Sequence, residues 1–125
     1  MRLLLDTHAL LWWIKGDRKL GAAARAAIAD DASSVVVSAG SIWEIAIKEA
    51  LGKLDVKTDL RRQLELNRFL PLPITVEHAL AAGALPRHHD DPFDRMLVAQ
   101  AQAEGLTIVT RDPRFSAYAV ATLAA

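Results

Sequence analysis

The sequence contains no cysteine among its 125 residues. Disulfides, thiolate zinc sites and thiol nucleophiles are therefore excluded, and the absence agrees with a reducing cytoplasm. Long apolar runs are also missing, since the longest one covers residues 9–14 and a membrane span needs roughly 18 residues. Only Arg2 precedes the first apolar run and Asp6 ends it, so we expect no signal peptide. These features predict a cytoplasmic protein with no membrane partner.

Neither sign of charge is in excess, because 15 basic residues balance 15 acidic ones. The net charge of zero therefore gives no indication of a polyanionic partner. Aromatic residues make up only 6%, but 52% of the chain is hydrophobic, which is enough to form a core. There is no repeat, no Gly/Ser linker and no glycine-rich phosphate loop, so we expect residues 1–125 to form one domain without a nucleoside triphosphate site.

Short apolar runs alternate with helical patterns along the chain. The predicted strands cover residues 2–5, 34–37, 70–74, 106–109 and 118–123. The predicted helices cover residues 9–15, 21–31, 41–53, 58–69 and 75–84, followed by one that begins at Asp91 and Pro92. The third strand contains Pro71 and Pro73, which favours an edge position. The alternation predicts an α/β fold, namely a three-layer α/β/α sandwich with a short, mainly parallel central sheet.

Four acidic residues fall where strands end or where the following helices begin. Asp6 follows the first strand, and Glu44 lies in the first turns of the helix after the second strand. Asp94 lies in the first turn of its helix, and Asp112 follows the fourth strand. Sites in parallel sheets lie outside the carboxyl ends of the strands, so we expect the four side chains to converge. Such oxygen clusters suit Mg²⁺ or Mn²⁺, which can activate water and stabilise charge on a phosphate.

Each acid also has a purely structural interpretation. Asp91 and Asp94 have the spacing of a capping box, and so do Ser41 and Glu44. Asp112 could begin a turn. The acid after the first strand is the hardest to explain in this way, because a carboxylate at a buried strand end needs partners. With the four acids set apart, 11 acids and 15 bases remain, which is compatible with contacts to phosphate.

Several residues beside these acids have two interpretations. Lys48 lies one helical turn after the second acid, so an i,i+4 ion pair is favoured slightly over a contact with substrate phosphate. Arg95 and Arg111 each neighbour a site acid and could hold phosphate or form surface ion pairs. His8 could orient Asp6 or a phosphate, or be a satisfied buried histidine.

The remaining histidine and tryptophan pairs carry less weight. His88 and His89 lack the i,i+4 spacing of helical zinc ligands, so we interpret them as loop residues near the mouth of the site. Trp12 and Trp13 are interpreted as core and interface residues. Neither pair defines a function by itself.

Four blocks of the sequence are distinctive when taken together. They are residues 4–13 (LLDTHALLWW), 41–48 (SIWEIAIK), 91–101 (DPFDRMLVAQA) and 110–112 (TRD). In content and order they resemble PIN-domain proteins, in particular the VapC-like toxins of type II toxin–antitoxin systems. The resemblance extends over the whole domain, and DTHALLWW and DPFDRMLVAQA are its specific signals.

The resemblance implies a PIN-like fold and a metal-dependent endoribonuclease that a cognate antitoxin inhibits. Asp6, Glu44, Asp94 and Asp112 match the acidic quartet of the family, and Thr110 matches its hydroxyl beside the last acid. The implied mechanism is in-line attack of metal-activated water on an RNA phosphodiester, with one or two Mg²⁺ or Mn²⁺ ions held by the quartet. The implied partners are an RNA substrate, a small antitoxin whose tail occupies the groove, and a second copy in a homodimer.

Other functions and one ligand assignment stay open at this point. A catalytically inactive PIN-fold binding module could keep the same quartet, because the quartet is necessary and not sufficient for activity. A receiver-like phosphoacceptor domain would have paired acids at the first strand, and a haloacid-dehalogenase-type phosphatase would have a second aspartate where His8 stands. Asp90 or Asp91 could share ligand duty with Asp94, although we interpret Asp91 as the helix cap. No motif encodes which RNA is cleaved.

Overall fold

The computed structural model describes all residues from Met1 to Ala125. The strands are β1 (Arg2–Leu5), β2 (Ser34–Ser38), β3 (Leu70–Leu72), β4 (Thr107–Thr110) and β5 (Thr122–Ala124). The helices are α1 (Thr7–Lys15), α2 (Ala22–Ala29), α3 (Ala39–Ala50), α4 (Leu60–Leu66), α5 (Val76–Ala84) and α6 (Pro92–Glu104). All five strands are parallel and lie in the order β3–β2–β1–β4–β5. The predicted α/β class with a parallel sheet is confirmed.

The central strands are apolar on both faces because helices cover both sides of the sheet. On one face, Leu3 packs in a cluster with Leu10 of α1 and Ile28 of α2. On the other face, Leu4 packs with Leu97 of α6, and α5 lies against α6. Successive residues of β1 therefore face opposite layers of helices, and the sheet lies between these two layers as expected.

The edges of the sheet are formed by its two shortest strands. β3 contains Pro71 and is an edge strand, as its prolines predict. β5 begins later than predicted, because a 3₁₀ helix (Pro113–Ala117) follows β4 and the chain reaches the sheet only at Thr122. No helix of the protein is both long and apolar enough to cross a membrane.

The N-cap of helix α3 lies three residues earlier than its sequence suggests. Ser38 at the end of β2 is the N-cap, and its hydroxyl accepts a hydrogen bond from the Gly40 N–H at 3.0 Å. The capping box expected from Ser41 and Glu44 is therefore wrong, since both residues lie inside the helix. The structural explanation for Glu44 fails with it.

The order of the strands reverses beside β1. The chain proceeds from β1 to β2 and β3 on one side, and then returns to add β4 and β5 on the other. The carboxyl ends of β1 and β4 flank the point of reversal, which is where open parallel sheets form their ligand sites.

Candidate active site

The four acids selected from the sequence line one cleft at the point of strand reversal. Asp6 follows β1, Asp112 follows β4, Glu44 projects from α3, and Asp94 lies in the first turn of α6. The complete lining of the cleft is Asp6, Thr7, His8, Glu44, Lys48, Asp91, Asp94, Asp112 and Arg114. Five carboxylates therefore face two basic side chains, and the cleft is strongly acidic.

Asp6 is fixed by the elements on either side of it. Its Oδ1 accepts the Ala9 N–H of α1 at 2.8 Å, and its Oδ2 accepts the Thr110 hydroxyl of β4 at 2.6 Å. Burial raises the pKa of Asp6, while the bond from Thr110 opposes that rise. The Thr110 oxygen also accepts the Asp112 N–H at 3.1 Å, so one hydroxyl joins two of the acids.

Glu44 is buried and is oriented through both of its oxygens. Its Oε1 accepts the Thr7 hydroxyl at 2.6 Å, and its Oε2 accepts Lys48 Nζ at 2.9 Å. The i,i+4 ion pair favoured for Lys48 is present. Thr7 was not selected from the sequence, where its only signal is that it directly follows Asp6 at the start of α1.

Asp94 is the acid of the cleft whose pKa is raised most strongly. Burial and the neighbouring carboxylate of Asp91 raise the pKa of Asp94 to about 7, and Asp6 and Glu44 add smaller repulsions. Asp91 itself caps α6, because its Oδ1 accepts the N–H groups of Phe93 at 2.8 Å and Asp94 at 3.1 Å. This contact agrees with interpreting Asp91 as the helix cap.

Asp112 has its own counter-ion. Arg114 donates to both carboxylate oxygens, with the shortest contact at 2.8 Å, and these bonds lower the pKa of Asp112 to about 2. The Arg114 side chain is 60% exposed and approaches the cleft from solvent. Nothing in the sequence distinguishes Arg114, because one arginine two residues after an acid has no distinctive spacing.

His89 lies behind the acids and not at the mouth of the cleft, so the expectation for it is wrong. Its side chain is 2% exposed, and its Nε2 is 2.8 Å from Asp94 Oδ2 and 3.3 Å from Asp112 Oδ2. His88 is exposed, and its ring packs against Tyr118. Nothing in the sequence distinguishes the two histidines, because they occupy a loop without periodicity.

Two arginines considered as phosphate contacts do not line the cleft. Arg95 donates to the carbonyls of Ala82, Leu85, Pro86 and His89. Arg111 donates to the carbonyls of Lys19 and Ala125, and its guanidinium lies 4.5 Å from the centroid of the Trp12 ring. Both side chains are committed to holding the backbone, so we no longer assign them to substrate.

His8 stands at the rim of the cleft. It is exposed, and its ring stacks on Trp12 with the centroids 5.8 Å apart. The charge of His8 helps to lower the pKa of Asp6 against the effect of burial. The alternative that His8 is a buried histidine with satisfied hydrogen bonds is therefore wrong. The other interpretation, in which His8 interacts with Asp6 or with a bound phosphate, remains a prediction.

The donor set of the cleft fits a hard divalent cation. Carboxylate oxygens from four separate elements face one space, which is the ligand chemistry of Mg²⁺ and Mn²⁺. Burial and, after it, repulsion from Asp91 raise the pKa of Asp94, and a cation bound among the acids would offset both effects. Ligand atoms of His89, Asp94 and Asp112 also lie within 4.8 Å of one another. Asp6, Glu44, Asp94 and Asp112 could therefore hold a divalent ion in this cleft.

Comparison with known proteins assigns the chain to a family. The family model described as PIN domain matches residues 3–121. Ribonuclease VapC22 from Mycobacterium tuberculosis (strain ATCC 25618 / H37Rv) is 30% identical over 119 residues, which are 93% of this chain and 91% of that protein. The chain therefore belongs to the PIN-domain family and is a VapC-like member of it.

Solved structures share the fold at lower identity. VapBC2 from Rickettsia felis, bound to a DNA fragment from its promoter, has a TM-score of 0.75 at 15% identity, with 98% of both chains covered. A toxin–antitoxin complex from Klebsiella pneumoniae has a TM-score of 0.68 at 20% identity and covers 98% of this chain and 96% of that one. FitAcB from Neisseria gonorrhoeae has a TM-score of 0.66 at 24% identity, with the same coverage.

Proposed function

We propose that this protein is a metal-dependent endoribonuclease and the toxin of a toxin–antitoxin pair, built as one PIN-like domain over residues 1–125. The observation that carries the proposal is the convergence of Asp6, Glu44, Asp94 and Asp112 in one cleft. The relationship to a protein named ribonuclease VapC22 supports the choice of RNA as substrate. A nuclease acting on cellular RNA would work in the cytoplasm.

The proposed cofactor is Mg²⁺ or Mn²⁺, held by the four acids. When bound, a divalent ion lowers the pKa of a water and stabilises charge that develops on a phosphate. Thr110 and Thr7 each donate to one carboxylate, which fixes the direction in which Asp6 and Glu44 present their remaining lone pairs. Fixing ligands in advance avoids reorganising them when the cation arrives.

Substrate phosphates would meet the basic side chains at the rim. Lys48 and Arg114 line the cleft, with side chains 41% and 60% exposed, and His8 stands beside them. In the structure the two cations pair with Glu44 and Asp112. The cationic end of each pair is exposed, so either side chain can turn towards a substrate phosphate.

The proposed partners are a cognate antitoxin and a second copy of the chain. Solved structures with a similar fold are VapBC and toxin–antitoxin complexes, and this similarity motivates the proposal of an antitoxin. A basic antitoxin side chain placed among the acids would compete with the divalent ion. Exposed apolar residues on and beside α3 and α5, including Trp43, Val76 and Leu80, are consistent with a homodimer contact.

The test is cleavage of total host RNA by antitoxin-free protein, with Mg²⁺ or Mn²⁺ and then with excess chelator. Asp6→Asn and Asp94→Asn remove charge inside the cleft, and Asp90→Asn removes the same charge from the exposed loop beside it. We expect discrete cuts from the wild type and Asp90→Asn, and none from the other two variants or in chelator. Mapping the new ends would identify the RNA.

Two results would contradict the proposal. Cuts that persist in chelator, or in both cleft variants, would mean that the acids do not catalyse the reaction. A folded wild type that binds the ion but cuts no RNA would favour a catalytically inactive binding module. Circular dichroism of every variant is the folding control.

A further inference from the structure

The loop before α6 is built to hold His89 in one position. The backbone N–H of His89 donates to the Tyr118 hydroxyl at 3.0 Å, and the His89 carbonyl accepts a hydrogen bond from Arg95 Nη1 at 3.3 Å. Tyr118 in turn donates to the Pro86 carbonyl at 2.8 Å. The imidazole packs edge-on against Phe115, with ring centroids 5.9 Å apart. Contacts from α6 and from the segment after β4 therefore fix both the backbone and the ring.

The hydrogen bond at Nδ1 determines which ring nitrogen carries the proton. The Asp91 N–H donates to Nδ1 at 3.2 Å, so Nδ1 must offer its lone pair. The neutral ring then has its proton on Nε2, which is buried and has no aligned hydrogen-bond partner. Nε2 lies 2.8 Å from Asp94 Oδ2 and 3.3 Å from Asp112 Oδ2. Nε2 therefore lies within contact distance of both carboxylates without an aligned hydrogen bond to either one.

This arrangement is the opposite of a histidine prepared to bind a metal. A ligating histidine presents a lone pair to the ion and donates its other ring N–H to a carbonyl, carboxylate or water. Here the nitrogen that faces the acids carries the proton, and the other nitrogen accepts a hydrogen bond from Asp91. Ligation through Nε2 would require the Asp91 bond to be given up.

We infer that His89 is a positioning residue, whose buried Nε2 contacts the Asp94 and Asp112 carboxylates and keeps them together for a divalent ion without ligating it. The inference rests on the proposed function. The two acids come from separate elements, α6 and the segment after β4, and His89 contacts both.

Two substitutions distinguish the role of Nδ1 of His89 from the role of Nε2. The Oδ1 of His89→Asn can occupy the place of Nδ1 and keep the bond from Asp91, but no donor then reaches the acids. The amide of His89→Gln can occupy the place of Nε2 and keep that donor, while the bond from Asp91 is lost. Both replacements are neutral amides, and each is the control for the other.

The measurement is the dissociation constant of Mn²⁺ by isothermal titration calorimetry, with thermal unfolding of each variant alongside. Loss of a residue that orients metal ligands weakens metal binding by about 10–100-fold, so we expect about tenfold for His89→Asn and less than about threefold for His89→Gln. A folded His89→Asn protein that binds Mn²⁺ as tightly as the wild type would overturn the inference. Equal weakening in both variants would overturn it as well.

Two further readouts distinguish a donor from a ligand. ¹⁵N NMR of the histidines should show His89 protonated at Nε2, both before and after Mg²⁺ is added. Direct ligation would instead remove that proton, and His89→Asn would then weaken Zn²⁺ binding far more than Mg²⁺ binding, because imidazole prefers Zn²⁺. A wild type that bound no divalent ion would contradict the proposed function and this role together. Normal wild-type binding with no effect of His89→Asn would contradict the role of His89 alone.

Discussion

Asp94→Asn should stabilise the metal-free protein above neutral pH while abolishing its activity. Burial and neighbouring carboxylates raise the pKa of Asp94 to about 7, whereas an unfolded aspartate titrates near about 3.9. The stability contributed by protonated Asp94 is complete below about pH 4 and is lost as the pH rises through about 7. An amide cannot ionise, so the variant does not have this loss. The amide oxygen in the variant can still lie next to His89 Nε2, as the carboxylate oxygen of Asp94 does.

The magnitude follows from proton uptake by the folded protein. Between about pH 5 and pH 7, Asp94 is protonated in the folded protein and ionised in the unfolded one. This difference over about two pH units is equivalent to about 2.7 kcal/mol of unfolding free energy. The side chain is 21% exposed, and screening by water reduces this value to about 1 kcal/mol. In a domain of this size, about 1 kcal/mol corresponds to a change in Tm of about 4 °C.

The assay is thermal and urea unfolding in chelator at pH 5 and pH 8. We expect the wild type to lose about 1 kcal/mol more than Asp94→Asn between the two pH values. Asp90→Asn removes an equal charge from the exposed loop and should behave like the wild type. Titrations of the histidines that do not contact Asp94 are common to all three proteins and cancel in the comparison. An identical pH dependence in the wild type and Asp94→Asn would refute the reasoning.

Three further predictions follow from contacts around the acids. Arg114→Ala removes the hydrogen bonds that lower the pKa of Asp112, so a ¹³C NMR titration should show this pKa rising from about 2 towards its ordinary value. Thr110→Val leaves Asp6 Oδ2 and the Asp112 N–H without their shared partner and should lower the urea unfolding free energy by about 1–3 kcal/mol, whereas Thr110→Ser should restore most of it. Arg95→Ala frees four carbonyls and should cost about 2–3 kcal/mol in the same assay. An unchanged Asp112 pKa, or unfolding curves that coincide with the wild type, would contradict these assignments.

The convergence of the acids was predictable because it depends on topology. Parallel strands bring their carboxyl ends to one edge of the sheet, so locating Asp6 and Asp112 after apolar runs was enough to predict that they would lie close together. The start of α6 was equally readable, since Asp91 and Pro92 form a local cap. Local sequence signals determine both features.

The expectations for Arg95, Arg111 and His89 are wrong because residues that are close in sequence need not be close in space. Arg95 follows Asp94 on a helix, where successive side chains point about 100° apart, and it faces the preceding loop instead of the cleft. Arg111 directly precedes Asp112, but its side chain turns away from the cleft towards the carbonyls of Lys19 and Ala125. His89 reaches the acids through tertiary contacts with Tyr118 and Phe115, which no local pattern encodes.

The central claim is that RNA cleavage depends on a divalent ion bound by this cleft. The most direct test measures two titrations on the same protein, Mn²⁺ binding by electron paramagnetic resonance and single-turnover cleavage of one mapped RNA against Mn²⁺ concentration. We predict that the two curves share a midpoint, that Asp94→Asn weakens binding and abolishes cleavage, and that Asp90→Asn changes neither. Cleavage that saturates well before this cleft binds Mn²⁺, or that survives in Asp94→Asn, would contradict the claim.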